Sequence, residues 1–157
     1  MLFRSRVLAE GSDITLVGIS HMAVECLRAH RYLTEVGIRA EVIDPVSLSP
    51  LDLDTIVRSV QKTGKLLVVD AAWTVCGASA EIMAQIAERL QGVREVGLQR
   101  LGFAPVTCPT TKNLENLFYP DAPKIASTAY ALVHNHRKAW TPAPVEAPEI
   151  IEFKGPF

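Results

Sequence analysis

The fold is decided by EVIDPVSLSPLDLDTIVRSVQKTGKLLVVDAAW, residues 41–73. A strand over residues 39–44 ends at a proline, which has no N–H to donate to a sheet. Asp52 is placed to cap a helix whose apolar residues recur at i, i+3, i+4 and i+7, and Gly64 ends it. Residues 65–70, KLLVVD, contain four consecutive apolar residues, which is typical of a strand covered on both faces. Strand, helix and strand together predict parallel neighbours with a right-handed crossover.

Working outward towards the N-terminus, the same alternation of elements continues. Residues 14–19, ITLVGI, form another nearly all-apolar run and predict a buried strand. Residues 22–36 repeat apolar side chains every three or four positions and predict a helix, with Ser20 placed to cap it and Gly37 to end it. Residues 6–10 fit either an edge strand or a linker.

Towards the C-terminus, the pattern predicts further elements. A glycine-containing turn leads to a helix predicted over residues 78–90. Apolar residues alternate over much of residues 95–101, which predicts another strand. A proline-containing loop, residues 103–109, precedes a short helix near residues 113–118, and Pro123 suits the first turn of a last helix. In helix 78–90 the apolar side chains predicted to face inward are Ile82, Met83, Ile86, Ala87 and Leu90.

Size and composition limit the possible functions. The chain has 157 residues, 48% hydrophobic and 21% charged, which suits one globular domain. A net charge of −1 provides no excess of basic residues for a phosphate backbone, so nucleic acid is not an expected partner. No apolar run approaches the roughly 20 residues that cross a bilayer, and the first residues lack the apolar centre of a signal peptide. We therefore expect a cytoplasmic protein without a membrane partner.

The last residues differ in composition from the rest. From Trp140 onward, four prolines fall within eighteen residues and no helical period is present. We predict a domain over residues 1–138 and an extended, proline-rich tail over residues 139–157. The apolar side chains of this tail favour packing along a partner or a neighbouring subunit, and a loose terminus is the alternative.

Open parallel sheets bind ligands at the carboxyl ends of their strands, so the loops there are the places to search. No nucleotide-binding glycine pattern is present. Ser20 and His21 are adjacent at a helix start and point in different directions, which does not favour a nucleophile and its base. The backbone amides at Ser20, His21 and Met22 are a candidate anion site, with capping by Ser20 as the more ordinary interpretation. No catalytic, cofactor-binding or metal-binding residue is predicted.

Other reactive or aromatic residues have simpler structural explanations. Asp44 and Asp70 both end strands, and bonds to their own loop amides are favoured over an acid pair. The three cysteines, Cys26, Cys76 and Cys108, lack metal-ligand spacing and are expected to be small buried apolar residues. Large aromatic side chains are candidates for subunit contacts rather than for stacking a cofactor. These candidates are Trp73, Trp140, Phe153 and Phe157.

Several segments together resemble the C-terminal domain of transketolase-type enzymes, most nearly that of the beta subunit of the pyruvate and branched-chain 2-oxoacid dehydrogenases. The resemblance covers about residues 6–138. Its motifs are RVLAEGSDITLVG at 6–18, LSPLD at 48–52, SVQKTGKLLVVDAAW at 59–73, AEI at 80–82 and LENLFYPDAPKIASTAYALV at 114–133.

The resemblance implies an α/β fold in three αβα layers, with a mixed but mostly parallel sheet of about five strands. In such enzymes thiamine diphosphate lies between a pyrophosphate-binding domain, with a GDG motif for the divalent metal, and a pyrimidine-binding domain that supplies a glutamate. This chain matches neither domain, so no catalytic residue of the family is carried over. Thiamine diphosphate and magnesium are therefore expected in the full enzyme and not on this chain alone.

Some positions depart from the family pattern. Thr74–Gly77 replaces the usual pair of glycines, ISHM stands at residues 19–22, and the loop over residues 101–113 differs from that of pyruvate dehydrogenases. Pyruvate is therefore in doubt as the substrate, and acetoin, branched-chain and sugar substrates stay open.

The resemblance leads to a ranking of functions. The leading hypothesis is a non-catalytic assembly and subunit-contact domain, or a split subunit, of a thiamine-diphosphate-dependent enzyme. It is not expected to be active alone. Its expected partners are a second copy, the missing pyrimidine- and pyrophosphate-binding domains or an alpha subunit, and an acyltransferase core. The alternative is a stand-alone module that binds a small anion or regulates. An independent enzyme ranks last, because no nucleophile, base and orienting group converge.

Overall fold

The computed structural model describes residues 4–143. Between residues 14 and 101 strands and helices alternate along the chain, as the periodicity predicted. The strands are β1 (Arg6–Ala9), β2 (Ile14–Gly18), β3 (Ala40–Asp44), β4 (Lys65–Val69) and β5 (Gly97–Leu101). The helices are α1 (Met22–Glu35), α2 (Leu53–Thr63), α3 (Ala78–Leu90), α4 (Lys112–Phe118) and α5 (Ala122–Val133). Among these described residues, no helix is long and apolar enough to cross a membrane.

The strands form one mixed sheet in the order β1-β3-β2-β4-β5. The last four are parallel to one another, and β1 pairs antiparallel with β3. The predicted mixed, mostly parallel sheet of about five strands is confirmed, and residues 6–9 form the edge strand rather than a linker. Because β2, β3, β4 and β5 are parallel, their carboxyl ends meet at one edge of the sheet, called here the carboxyl edge.

Alternate residues of the central strands supply two separate cores, which gives the three layers. One core lies between the sheet and the pair α1 and α5, and the other lies between the sheet and the pair α2 and α3. Leu16 and Val42 belong to the first core, whereas Val17 and Ile43 belong to the second. In α3 the inward prediction is wrong for Ala87, which is exposed because it lies on the solvent side of that helix.

The helix ends show which sequence signals were sufficient. Asp52 accepts a hydrogen bond from the amide of Thr55 at 3.3 Å, and Gly64 adopts a left-handed conformation with φ of 72°, both as predicted. The capping prediction for Ser20 is wrong. His21 occupies the N-cap position, no side chain caps α1, and Ser20 itself has φ of +57°. The first amides of the helix are paired instead with the backbone carbonyls of residues 19–21.

A buried polar network links the central strands to α2. The hydroxyl of Thr15 lies 2.7 Å from that of Ser59 and 2.8 Å from that of Thr63, and all three residues are buried. Next to them the carboxylate of buried Glu41 accepts a hydrogen bond from the ammonium group of Lys62. The network joins the amino ends of β2 and β3 to α2. It therefore lies away from the carboxyl edge.

The described part of the predicted tail packs on the domain. The ring of Trp140 lies 5.3 Å from that of Tyr130 in α5, and Pro142 is buried. Trp140 is therefore half-buried against the α1 and α5 side of the molecule. Phe153 and Phe157 lie outside the described residues, so their predicted role in subunit contact stays a prediction.

Candidate functional site

The loop after β4 is held in place by a buried carboxylate. Asp70 accepts hydrogen bonds from the backbone amides of Ala71 and Ser79, which join the end of β4 to the start of α3. Burial raises the pKa of Asp70 above its ordinary value, and the two amide bonds only partly oppose that rise. The carboxylate of Asp44 also accepts a hydrogen bond in its own loop, from the amide of Val46 at 2.9 Å. The prediction that both aspartates bind their own loops is confirmed.

Two glycines allow close backbone contacts within and around this loop. A Cβ atom on Gly102 would lie 2.4 Å from the carbonyl oxygen of Ala72, and one on Gly77 would lie 2.2 Å from that of Trp73. The Ala72 oxygen also accepts the amide of Phe103 at 3.0 Å. Neither position has room for a side chain. At Gly102 the loops after β4 and β5 are in direct backbone contact, and at Gly77 the loop after β4 folds back on itself.

A side-chain bond completes this framework. The guanidinium group of Arg100 in β5 donates to the carbonyl oxygen of Thr74 at 2.6 Å. The amide of Asp70 donates to the carbonyl of Leu101 at 3.0 Å. The loop that carries Trp73 is thus tied to β5 at both of its ends.

The loop presents Trp73 within a cluster of aromatic rings. Its ring centroid lies 6.0 Å from that of Phe103 and 5.9 Å from that of Phe118, both edge to face. The rings of Phe103 and Phe118 lie 4.7 Å apart, and that of Tyr119 lies 5.2 Å from Phe103. Phe118 is buried, whereas 47% of Trp73 is exposed. The aromatic pairs fix the orientation of Trp73 while one side of it faces solvent.

Exposed aliphatic residues belong to the same loops and to α4. We call the aromatic cluster and these aliphatic residues together the aromatic surface. Its exposed members are Trp73, Val75, Val106, Leu114, Leu117 and Tyr119. The loop segments AAWTVCGASA, residues 71–80, and LGFAPVTCPTT, residues 101–111, contain no acidic, basic or histidine residue. Asp70, immediately before the first segment, is buried. The two loops therefore form an uncharged and largely apolar part of the carboxyl edge.

The candidate anion site at Ser20, His21 and Met22 lies at the same edge, after β2. The amides of residues 22–24 already donate to the carbonyls of residues 19–21 at 3.0 to 3.1 Å. The mostly buried carboxylate of Glu25 lies 3.8 Å from the His21 ring and adds negative charge to this helix start. Bonded amides and a nearby carboxylate both disfavour an anion here. Binding at this position stays a prediction.

The described residues offer no cluster of ligands for the magnesium ion of the cofactor that the resemblance implies. Magnesium and a diphosphate require several oxygen ligands close together. Over residues 4–143, no group of three or more histidine, cysteine or acidic side chains is placed to hold a metal ion. At the carboxyl edge, Asp44 and Asp70 use their carboxylates on their own loop amides.

The structure brings together residues that sequence reasoning did not connect. It joins Trp73 to Phe103, Phe118 and Tyr119, none of which were singled out, and it places Trp140 elsewhere, on α5. The one available signal was the repeated pairing of aromatic residues with proline in this part of the chain. Cysteine burial is correct for Cys26 and wrong for Cys76 and Cys108, which are exposed because both lie in loops of the carboxyl edge.

Comparison with known proteins finds one protein family along most of the chain. Residues 4–125 match the family described as "Transketolase, C-terminal domain". Among solved structures, a split gene transketolase, an inactive beta4 tetramer, superimposes with a TM-score of 0.73 at 26% identity. That alignment covers 85% of this chain and 43% of the transketolase chain.

Curated relatives agree with this assignment. The beta subunit of acetoin:2,6-dichlorophenolindophenol oxidoreductase from Cupriavidus necator is 35% identical over 125 residues. The beta subunit of the mitochondrial pyruvate dehydrogenase E1 component from Dictyostelium discoideum is 34% identical over 134 residues. These alignments cover 80% and 85% of this chain, but only 37% and 38% of the two relatives.

Proposed function

Since the chain belongs to the transketolase C-terminal domain family, we propose that it acts as a non-catalytic assembly domain of a thiamine-diphosphate-dependent enzyme. The family match carries this proposal. The matched region is less than two fifths of the length of each of the two relatives, which agrees with one domain of a larger enzyme. The enzyme is of the 2-oxoacid dehydrogenase or transketolase type. The chain contributes structure and subunit contacts, and it is inactive alone.

The chemistry of the carboxyl edge supports a contact role. A catalytic edge presents polar groups that converge on a substrate. At this edge the carboxylates of Asp44 and Asp70 are bonded within their loops, and the exposed part of the neighbouring loops is apolar. Apolar, aromatic surfaces of this kind are typical of protein interfaces.

The proposed partners are polypeptides that carry the cofactor. Pyrimidine- and pyrophosphate-binding domains, whether in one chain or in an alpha subunit, would hold thiamine diphosphate and magnesium, and an acyltransferase core is a further partner. Self-association is part of the proposal, because the related split gene transketolase is described as a tetramer of beta chains. We also propose a cytoplasmic location, which fractionation of the source cells would test.

A domain exchange tests the proposal. Residues 4–143 replace the matching part of the Cupriavidus necator beta subunit, and the hybrid is assayed with the remaining subunits of that oxidoreductase for acetoin-dependent dye reduction. We expect the hybrid to keep measurable activity, because a structural domain needs to preserve packing only. A control hybrid with the matching part deleted should be inactive. A hybrid that is folded and assembled yet inactive would count against the proposal.

The isolated chain provides a second test. With thiamine diphosphate, magnesium and either pyruvate or acetoin, the chain alone should show no turnover. Calorimetric titration with thiamine diphosphate and magnesium should show no saturable binding. Tight binding of the cofactor by the chain alone would refute the assembly-domain proposal outright.

A further inference from the structure

A cavity of about 440 Å³ lies beside the start of α2, and three arginines line it. Arg4 comes from the residues before β1, Arg58 from the second turn of α2 and Arg89 from the last turn of α3. None of the lining residues belongs to a strand, to the aromatic surface or to the candidate anion site at residues 20–22. A volume of this size is typical of sites for small organic ligands. The cavity is therefore separate from the places considered above.

Most of the hydrogen-bond donors of these arginines have no acceptor in the described part of the chain. A guanidinium group has five N–H donors. Arg58 donates one to the hydroxyl of Thr55 at 2.9 Å, and Arg89 donates one to the carboxylate of Asp54 at 3.4 Å. Arg4 makes no hydrogen bond or ion pair with another described residue. The remaining donors are available to an anion that enters the cavity.

Two carboxylates also line the cavity, and together they leave it positive. The carboxylate of Asp52 accepts hydrogen bonds from the amide of Ser5 at 2.9 Å and from the amide and hydroxyl of Thr55 at 3.3 and 2.8 Å. The ion pair of Asp54 with Arg89 joins side chains that are 73% and 57% exposed, so water screens it. Three positive and two negative side chains leave an excess of one positive charge among the lining residues.

We propose that this cavity binds the phosphate group of a small phosphorylated molecule. Guanidinium groups form planar, bidentate hydrogen bonds with phosphate, which has enough oxygens for three of them. A carboxylate has two oxygens, fewer than the guanidinium groups that line the cavity. Pro50, Leu51 and Leu53 supply an apolar wall, against which the organic part of the molecule would pack. The inference goes beyond the proposed function and does not depend on it.

Binding would replace one screened ion pair with stronger interactions. A phosphate monoester carries about 1.5 to 2 negative charges at pH 7, more than the single charge of the Asp54 carboxylate with which it competes for Arg89. The framework under the cavity is already formed, because Asp52 joins the segment before β1 to the start of α2. Loss of an arginine should therefore weaken binding, and loss of the Asp54 charge should strengthen it.

Calorimetric titration of the whole chain tests the proposal, with inorganic phosphate and butyl phosphate as probes. The ionic strength is held constant and magnesium is left out, so that general screening by salt does not change. Arg58→Gln and Arg89→Gln each remove a guanidinium group from the cavity. Arg31→Gln is the matched control, at an exposed arginine of α1 on the other face of the sheet. Asp54→Asn removes the competing carboxylate, and Glu35→Gln, at an exposed glutamate of α1, is its control.

We expect binding at one saturable site in the millimolar range or tighter, with butyl phosphate preferred because its chain packs on the apolar wall. Arg58→Gln and Arg89→Gln should each weaken binding by about tenfold or more, because each removes charge-assisted bonds to the phosphate. Arg58→Lys keeps the charge without the planar fork and should bind with intermediate affinity. Asp54→Asn should strengthen binding by about two- to fivefold, and the two α1 variants should leave it unchanged.

Three results would overturn the inference. One is the absence of saturation by either probe in the millimolar range. Another is an equal loss of affinity in Arg31→Gln and in the cavity variants, because phosphate would then respond to net charge and not to a site. The third is inorganic phosphate bound at least as tightly as butyl phosphate, which would exclude the ester as the ligand. Circular dichroism of each variant should match that of the parent, so that a lost fold is not mistaken for a lost site.

This inference and the proposed function fail separately. In the cofactor test, magnesium binds the phosphate oxygens of thiamine diphosphate, so the metal-bound cofactor is not an expected ligand of the arginine-lined cavity. A chain that binds butyl phosphate and fails in the domain exchange would keep this site and count against the assembly role. An active hybrid whose isolated chain binds neither probe would do the reverse.

Discussion

Replacing Gly102 with alanine should displace the loop that presents Trp73. The new Cβ would lie 2.4 Å from the carbonyl oxygen of Ala72 and 3.0 Å from the methyl group of Thr74. The first neighbour is backbone and cannot rotate away, so the two loops must separate. That separation also lengthens the hydrogen bond from the amide of Phe103 to the same Ala72 oxygen, now 3.0 Å.

The expected cost combines two effects. Forcing an extra carbon into a filled site costs about 1–3 kcal/mol, and the weakened amide bond contributes about 0.5–1.5 kcal/mol. Gly102→Ala should therefore lower the free energy of unfolding by about 1.5–4.5 kcal/mol. No left-handed backbone strain is included, because a positive φ is found at other glycines and not at Gly102.

The assay is urea unfolding combined with tryptophan emission in a Trp140→Phe background, so that Trp73 alone is observed. The emission of folded Gly102→Ala should differ from that of the parent, because Trp73 moves relative to its aromatic neighbours. Gly92→Ala is the control: Gly92 has φ of +73° and open space around it. It should cost only about 1–2 kcal/mol from the left-handed conformation and leave the emission unchanged.

Equal destabilisation by the two alanine variants, with the same Trp73 emission in both, would refute the account of this loop. It would mean that the loops at the ends of β4 and β5 accommodate a methyl group without moving. The orientation of Trp73 would then not depend on their backbone contact.

Three further predictions concern buried polar groups. Burial alone would raise the pKa of Glu41, but hydrogen bonds, chiefly from Lys62, hold that pKa below its ordinary value. The stability that Glu41 contributes is therefore lost as the pH falls through its folded-state pKa. Glu41→Gln should flatten stability against pH in this acid range, and unchanged slopes would contradict this. Thr15→Val should cost about 1–2 kcal/mol in urea unfolding by leaving the Ser59 hydroxyl short of a partner, and no loss would show that water replaces the bond. Glu25→Ala should cost about 1–3 kcal/mol by removing the acceptor for the first amide of α5, whereas alanine at an exposed glutamate of the same helix should be neutral, and equal effects would refute the role.

Most of the fold could be predicted because the local signals and the tertiary structure agree. The consecutive apolar residues of 65–70 lie in a central strand, and the cap at Asp52 and the glycine at 64 mark the two ends of α2. The first strand was ambiguous because its residues are mostly exposed and lack an apolar period. Such an edge strand is specified by pairing with β3, which no local pattern reveals.

The candidate site could be predicted only in part, because it depends on contacts distant in sequence. Trp73 was recognisable as a contact residue, but Phe103 and Phe118 join it through the alignment of β4 with β5 and the return of α4. The cap at Ser20 was wrong for a related reason. Gly18 brings β2 so close to α1 that a Cβ there would lie 2.6 Å from Ala23, and the tight turn satisfies the helix amides with backbone carbonyls.

The same bonds that order the carboxyl edge also leave little polar capacity for a ligand among its described residues. The carboxylates of Asp44 and Asp70 accept hydrogen bonds from backbone amides. The amides of residues 22–24 already donate to backbone carbonyls. The edge exposes apolar side chains instead. They lie on loops whose close backbone contacts require glycine at positions 77 and 102. A ligand recognised by charge would have to break these bonds, whereas an apolar protein surface gains by covering Trp73 without breaking any. The energetics of this edge therefore favour a macromolecular contact over a small polar ligand.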